Sequence, residues 1–418
     1  MRRLDAQRTW FLYRGVESFA FSLGWTVAAV FFVTELDMSP LELVLTGTAL
    51  EVAYFLFEVP TAVVADTYSR RASVVIGAVI LGLAFVATGL ASGVFVVLLA
   101  AAVMGFGWTF KSGAEDAWLA DEVGAEHVAS PYQRGAQFAR GGALLGIVAA
   151  VGLALVDLRL PIVAGGAVLV GLGLLLALVM PEIGFRPATR EEMGAVRSMV
   201  HTGAKGGRLI RARPMLLLIV GIAFFGGMWS EAFDRLWEAH FLVDIGVPGL
   251  GDLDPVVWFG VLNAGVLLLA IFVAQPLRRR FEGLSRLGMT RMLLGFDALT
   301  MVGTLAFAFA GAFAVAVLAY WATRVLRSLV GPIYSTWLNT SIDDSSVRAT
   351  VISMTNLGDS AGEWGGGPLL GGVGNVFGIR AALAAGALAL SPALVLYGRA
   401  LRHQGVEPEL AAEPAAAR

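Results

Sequence analysis

Apolar runs separated by short polar or charged connections make up most of the chain between residues 9 and 399. Residues 162–180, IVAGGAVLVGLGLLLALVM, are the plainest of these runs. A helix needs roughly 20 residues to cross the hydrocarbon of a bilayer, so runs of about 18 or more mostly apolar residues predict membrane-spanning helices. The pattern predicts about twelve spans, over 9–33, 41–65, 72–91, 93–119, 132–156, 160–180, 214–243, 255–276, 290–311, 312–339, 347–372 and 376–399. The connections 181–213, 244–254 and 277–289 are long or polar. The expected fold class is an all-α membrane protein, with a disordered tail over 403–418 that is rich in Ala, Pro and Glu.

Composition agrees with the pattern. Of the 418 residues, 57% are hydrophobic and 15% charged, against about 25% charged in soluble chains. Mean hydropathy is +0.75. The basic residues lie between apolar runs rather than on one aromatic-bearing patch, which argues against nucleic acid as a partner. No cysteine occurs, so a disulfide framework and a thiolate metal site are both excluded. The first apolar stretch follows Arg2, Arg3 and Arg8 and leads into further spans. It reads as a first helix rather than a cleaved signal peptide.

Charge placement predicts the topology. Arg70 and Arg71, then Arg278, Arg279, Arg280 and Arg286, fall in connections on one side of the expected layout. The central connection adds Arg186, Arg190, Arg197, Lys205, Arg208, Arg211 and Arg213, whereas the opposite side has Arg159 and Arg380. Basic residues mark cytoplasmic connections, so both termini and the central linker are expected in the cytoplasm. The chain then divides into an N-terminal six-helix half over 1–180, a linker over 181–213, a C-terminal six-helix half over 214–402 and the tail 403–418. FEVP at 57–60 is echoed by FVAQP at 272–276, in corresponding places of the two halves. Parallel repeats with a site between them are a transporter architecture.

The stretch AVVADTYSRR, 62–71, resembles the signature G-x-x-x-D-R/K-x-G-R/K-R/K of the major facilitator superfamily. Asp66, Arg70 and Arg71 stand where the signature places them, while Ala62 and Ser69 replace its glycines and Thr67 replaces a basic residue. With the six-plus-six division, the resemblance covers nearly the whole chain. GPLLGG at 367–372 is similar to the end of the family's antiporter signature. That signature belongs on helix 5, where this chain has GGALLG at 141–146. SGAEDAWLADE (112–122) and SEAFDRLWEAHF (230–241) look like the drug-efflux-like bacterial branch. The resemblance implies a gate in which Asp66 meets the positive N-terminal end of helix 11. It also implies a multi-pass protein of the bacterial cytoplasmic membrane that works as a monomer.

Ionisable residues inside spans are costly and usually functional. Glu51 and Glu58 are seven apart, on one face of the second helix. Arg14 and Glu17 are spaced to pair, as are Lys111 and Glu115. Glu231, Asp234, Arg235 and Glu238 form a charged stripe on helix 7. Arg324 and Arg327 lie on helix 10, and Asp359 and Glu363 on helix 11. Carboxylates without partners in low dielectric can exchange protons near neutral pH. Glu17, Glu58, Asp116, Glu231 and Asp359 are therefore the proton-coupling candidates. Arg14, Lys111, Glu115, Arg235 and Arg324 are the charge-pair candidates, and a purely structural role for such pairs stands as the alternative. Aromatic faces beside carboxylates suit a lipophilic ligand, cationic ones included. Trp25, Trp108, Trp229, Asp234, Trp337, Asn339 and Glu363 are the substrate-binding candidates, although Trp at span ends also serves as an interfacial anchor.

The expected function is proton-coupled export of a lipophilic small molecule by alternating access. Uptake of a small polar nutrient such as a sugar is the alternative. GxSxG, HExxH and GxxxxGK[ST] are absent from the sequence, which leaves a membrane-embedded enzyme a weaker reading, and a receptor is weaker too, because it does not explain so many acids within spans. No cofactor and no metal are expected. The partners are a small-molecule substrate, protons and the lipid bilayer.

Overall fold

The computed structural model describes residues 4–187, 214–249, 254–274, 283–342 and 348–412. The central basic linker beyond residue 187, together with Arg278, Arg279 and Arg280, lies outside them. Among the described residues the fold is all helical, and no strand is present.

The first helices are α1 (Ala6–Thr34), α2 (Pro40–Thr67), α3 (Arg70–Gly89), α4 (Val94–Lys111), α5 (Ala114–Val123), α6 (Ala129–Ala154) and α7 (Arg159–Val179). Next come α8 (Pro214–Ala239) and α9 (Val256–Leu269), followed respectively by π-helical segments His240–Ile245 and Ala270–Ala274. The rest are α10 (Arg286–Ala308), α11 (Phe313–Ser341), α12 (Arg348–Phe377), α13 (Ile379–Ala389) and α14 (Ser391–Ala412). Eleven helical stretches are long and apolar enough to cross a membrane. The twelfth expected span falls on α12, which Asp359, Glu363 and several glycines make less apolar than the rest.

Local sequence sets the ends. Asp5 caps α1 by accepting from the amides of Gln7 and Arg8 at 3.2 and 3.4 Å. Ser39 and Glu42 form a reciprocal capping box at the start of α2, which satisfies amides that have no partner within the helix. The expected span 93–119 is two helices, because Gly113 adopts φ +71° at the break between α4 and α5. A side chain at that position would be strained. α14 continues to Ala412, so the expected disordered tail is helical over 403–412, although Gly405 and Pro408 lie within it.

Contacts gather the chain into two compact units, Met1–Arg197 with Val247–Leu267, and Ser198–Gly246 with Leu268–Arg418. Most of α9 thus belongs to the first unit, although its place in the sequence is in the second half.

In the first unit α1 packs on α6 and α3 on α7, through small residues. A Cβ at Gly142 would come within 2.0 Å of the Gly15 carbonyl oxygen, so these backbones touch only because no side chain intervenes. The core includes Trp10, Tyr13, Trp118 and Leu176. In the second unit α8 packs on α12. The glycines that meet α8 are Gly358, Gly362 and Gly366, and a Cβ at Gly362 would come within 1.9 Å of the Phe224 carbonyl oxygen. The core there centres on Trp337, Leu293, Ile219 and Tyr397.

Candidate functional site

The break at Gly113 places Lys111 at the end of α4 and Glu115 and Asp116 in the first turn of α5, where the helix dipole favours negative charge. Lys111 is 1% exposed. Its ammonium contacts Glu17 and lies 3.7 Å from Glu115. Arg14 reaches the same two acids at 3.1 and 3.4 Å, and the Tyr13 hydroxyl bridges both carboxylates. Two cations therefore balance two anions across α1, α4 and α5. The spacing pairs expected from sequence exist, and they are joined into one net. The Lys111 ammonium also lies 4.4 Å from the centre of the Trp108 ring, which stacks on Phe21 at 5.1 Å. Trp25 is half-buried, edge-on to Phe85 at 5.2 Å.

Two proton candidates stand outside this net. Glu58 is exposed and accepts from the Tyr54 hydroxyl at 3.1 Å. Asp116 is exposed and accepts from the Tyr132 hydroxyl.

The α2–α3 turn is tied to the rest of the first unit by its charges. Arg70 lies 3.5 Å from Asp66, contacts Asp121 on α5 and donates to the Ala117 carbonyl at 3.0 Å. Ser69, at a glycine position of the resembled signature, caps α3 by accepting from the Ala72 amide at 2.9 Å. Its hydroxyl also contacts Glu182, whose carboxylate accepts from the Arg71 amide at 2.9 Å. The Arg71 guanidinium donates to the Ala177 carbonyl. Asp121 and Glu182 were not singled out by sequence, because nothing in their spacing shows that they meet this turn. Glu122 accepts from the amides of Ile183 and Gly184, the latter at 2.8 Å.

The second unit carries the charged stripe of α8. Glu231, 4% exposed, pairs with Arg235 at 3.1 Å. Asp234 pairs with Arg324 at 2.7 Å and with Arg327, both on α11. Arg327 also lies 5.5 Å from the centre of the Trp229 ring, and Trp229 donates to the Thr304 hydroxyl at 3.1 Å. Glu363 contacts the Ser230 hydroxyl at 3.5 Å. Trp337 is fully buried against Tyr334 and Tyr397. Asn339 is exposed and donates to the Ser335 carbonyl of its own helix at 2.9 Å.

A cavity of about 360 Å³ opens within this unit, walled by Trp229, Ser230, Asp297, Thr300, Tyr334 and Asp359 among others. It brings together the expected Trp229 and Asp359, and it adds Asp297, which sequence reading passed over. The signal was available, since Asp297 is an acid inside the apolar span 290–311. His240 is a second omission. It is fully buried, with its ring nitrogens 2.7 Å from Asp244 and 3.0 Å from the Phe307 carbonyl. Among the described residues no cluster of acids and histidines could hold a metal ion.

The family model described as Major Facilitator Superfamily matches residues 11–366. Among solved structures, a variant of the nucleoside transporter NupG is similar at 12% identity, covering 96% of this chain and 99% of that one, with a TM-score of 0.70. A bacterial homologue of the human lysosomal transporter Spinster, inward-facing and unoccupied, is similar at 16% identity, with 95% and 96% covered and a TM-score of 0.70. A peptide transporter POT in complex with sulfate is similar at 16% identity, with 95% and 94% covered and a TM-score of 0.69. At these identities the likeness is one of fold. No curated protein sequence matches the chain.

Proposed function

The chain belongs to the major facilitator superfamily, and from that premise we propose that this transporter is a proton-coupled exporter of lipophilic small molecules, organic cations included. Its setting is the bacterial cytoplasmic membrane, with both termini in the cytoplasm. It works as a monomer of two six-helix halves, over 1–180 and 214–402, joined by the basic linker 181–213.

One observation carries this reading. Asp359 lines the cavity beside Trp229 and Tyr334, and among the described residues no ion pair includes it. A carboxylate so placed can take a proton or answer the charge of a cationic ligand. Ligand and proton then compete for the same oxygen atoms, which is the physical basis of exchange. A ligand shifts a conformational equilibrium only by its different affinity for the two states, and protonation of Asp359 supplies such a difference.

Glu58 and Asp116, exposed and bonded to neutral hydroxyls, are the corresponding acids of the first unit. Glu17 and Glu231 already face cations. Their role in this scheme is to relay charge through Arg14, Lys111 and Arg235 when those pairs rearrange.

The test uses inverted membrane vesicles with an acidified interior and a panel of fluorescent lipophilic cations. Accumulation that collapses on adding a protonophore, and that loses its pH dependence in Asp359→Asn, is the expected result. Accumulation indifferent to the protonophore would overturn proton coupling. Failure of every dye to accumulate would move the assignment to uptake of a polar nutrient.

A further inference from the structure

The cavity of the second unit has a deeper feature than Asp359. Asp297 sits in mid-span on α10 between Phe296 and Ala298, where a carboxylate is costly unless something answers its charge. Among the described residues no ion pair includes Asp297. Its partner is neutral, the hydroxyl of the buried Tyr397. The cationic side chain on the cavity wall is Arg327, which already faces Asp234 and the Trp229 ring. Two carboxylates therefore share a cavity with one guanidinium, which pairs with Asp234 and acts on Asp359, while the partner shown for Asp297 is neutral.

A second observation is independent of charge. Thr300 lies three residues from Asp297, on the same face of α10. It is 2% exposed, it lines the same cavity, and among the described residues its hydroxyl has no hydrogen-bond partner. A buried hydroxyl without a partner costs free energy, and a donor on a ligand would remove that cost.

We propose that this cavity binds the positively charged end of a small organic amine, with Asp297 as its principal counter-ion, Asp359 at the exposed end and the Thr300 hydroxyl as an acceptor. This rests on the exporter reading and extends it, by naming the charge and size of the substrate and two residues that receive it. The volume of about 360 Å³ lies at the small end of the range of roughly 300–1,000 Å³ for ligand pockets. It far exceeds a bare ion and suits an ammonium on a compact aromatic or aliphatic body. Trp229 and Tyr334 are the aromatic residues of the wall, and Ile222 and Val330 give apolar wall for the body.

The experiment is isothermal titration of the purified full-length protein, without any gradient, using benzylamine and its neutral counterpart benzyl alcohol at neutral pH. Benzylamine is expected to bind at least about tenfold more tightly than the alcohol, a preference that Asp297→Asn abolishes. Thr300→Val is expected to weaken benzylamine several-fold, unchanged binding would remove Thr300 from the site, and this variant keeps the proposal testable if Asp297→Asn does not fold. Glu126→Gln, an exposed position in the other unit, is the control and retains the preference. Equal affinity for amine and alcohol, no binding of amine, or an unchanged preference in Asp297→Asn would each overturn the site. The exporter reading fails separately. Benzylamine binding with protonophore-insensitive dye accumulation keeps the site and removes proton coupling. Proton-driven accumulation that persists in Asp297→Asn, with its amine preference intact, removes the site alone.

Discussion

Lys111 is held by two carboxylates and three aromatic rings, those of Tyr13, Phe21 and Trp108, with almost no contact with solvent. Removing one partner of such a group leaves the other buried and unanswered, a loss of about 3–5 kcal/mol in comparable pairs. Lys111→Met or Glu17→Gln alone is thus expected to lower the melting temperature in detergent markedly, and the two together to recover most of it. An additive loss in the double variant would show that the two residues act separately. The sequence was informative here up to a limit. Intervals of three and four residues show that Arg14 can meet Glu17 and Lys111 can meet Glu115. They cannot show that α1 lies against the α4–α5 break, so the joining of two pairs into one net was not legible. Asp297 is the opposite case, because the rule that singles out an acid within an apolar span applied to it directly. That the buried Thr300 hydroxyl is left unbonded, by contrast, depends on packing and cannot be read from spacing.

Elements were legible where apolar length alone decides them. The spans predicted over 160–180 and 290–311 appear as α7 and α10 with boundaries shifted by a few residues. The break at Ser112–Gly113 was missed, since one glycine in an apolar run is common and its φ depends on the helices that must meet beyond it. Gly146, one turn beyond Gly142, makes the same close approach: a Cβ there would come within 2.4 Å of the Phe19 carbonyl oxygen. On α12 the close contacts with α8 fall on the row Gly358, Gly362 and Gly366. Gly142→Leu is expected to drive α1 from α6 and destabilise the protein by at least about 1–3 kcal/mol, the usual cost of overpacking. Gly141→Leu, where a Cβ meets nothing within 4 Å, should melt like the parent. Similar melting of both variants would remove the packing role of Gly142.

For the whole molecule, the resemblance of residues 62–71 to the family signature, taken with the six-plus-six layout, pointed to the family that the match over residues 11–366 established. The grouping of α9 with the first unit was not legible, because no feature of its own residues shows which neighbours it contacts. The proposed gate belongs to this scale. Arg70 is shared between Asp66 on α2 and Asp121 on α5, so loss of the Asp66 charge leaves Arg70 with a partner and the turn folded. Asp66→Asn is therefore expected to slow dye accumulation while leaving the affinity for benzylamine unchanged; a normal rate would remove the gate role. The net around Lys111 carries a different consequence, for how such a chain can change over generations. Replacing any one of its four charges passes through a form that folds poorly, so these positions are free to vary only together. Descendants that lack Lys111 should also lack Glu17 or Glu115, and the three helices they join should diverge as a set.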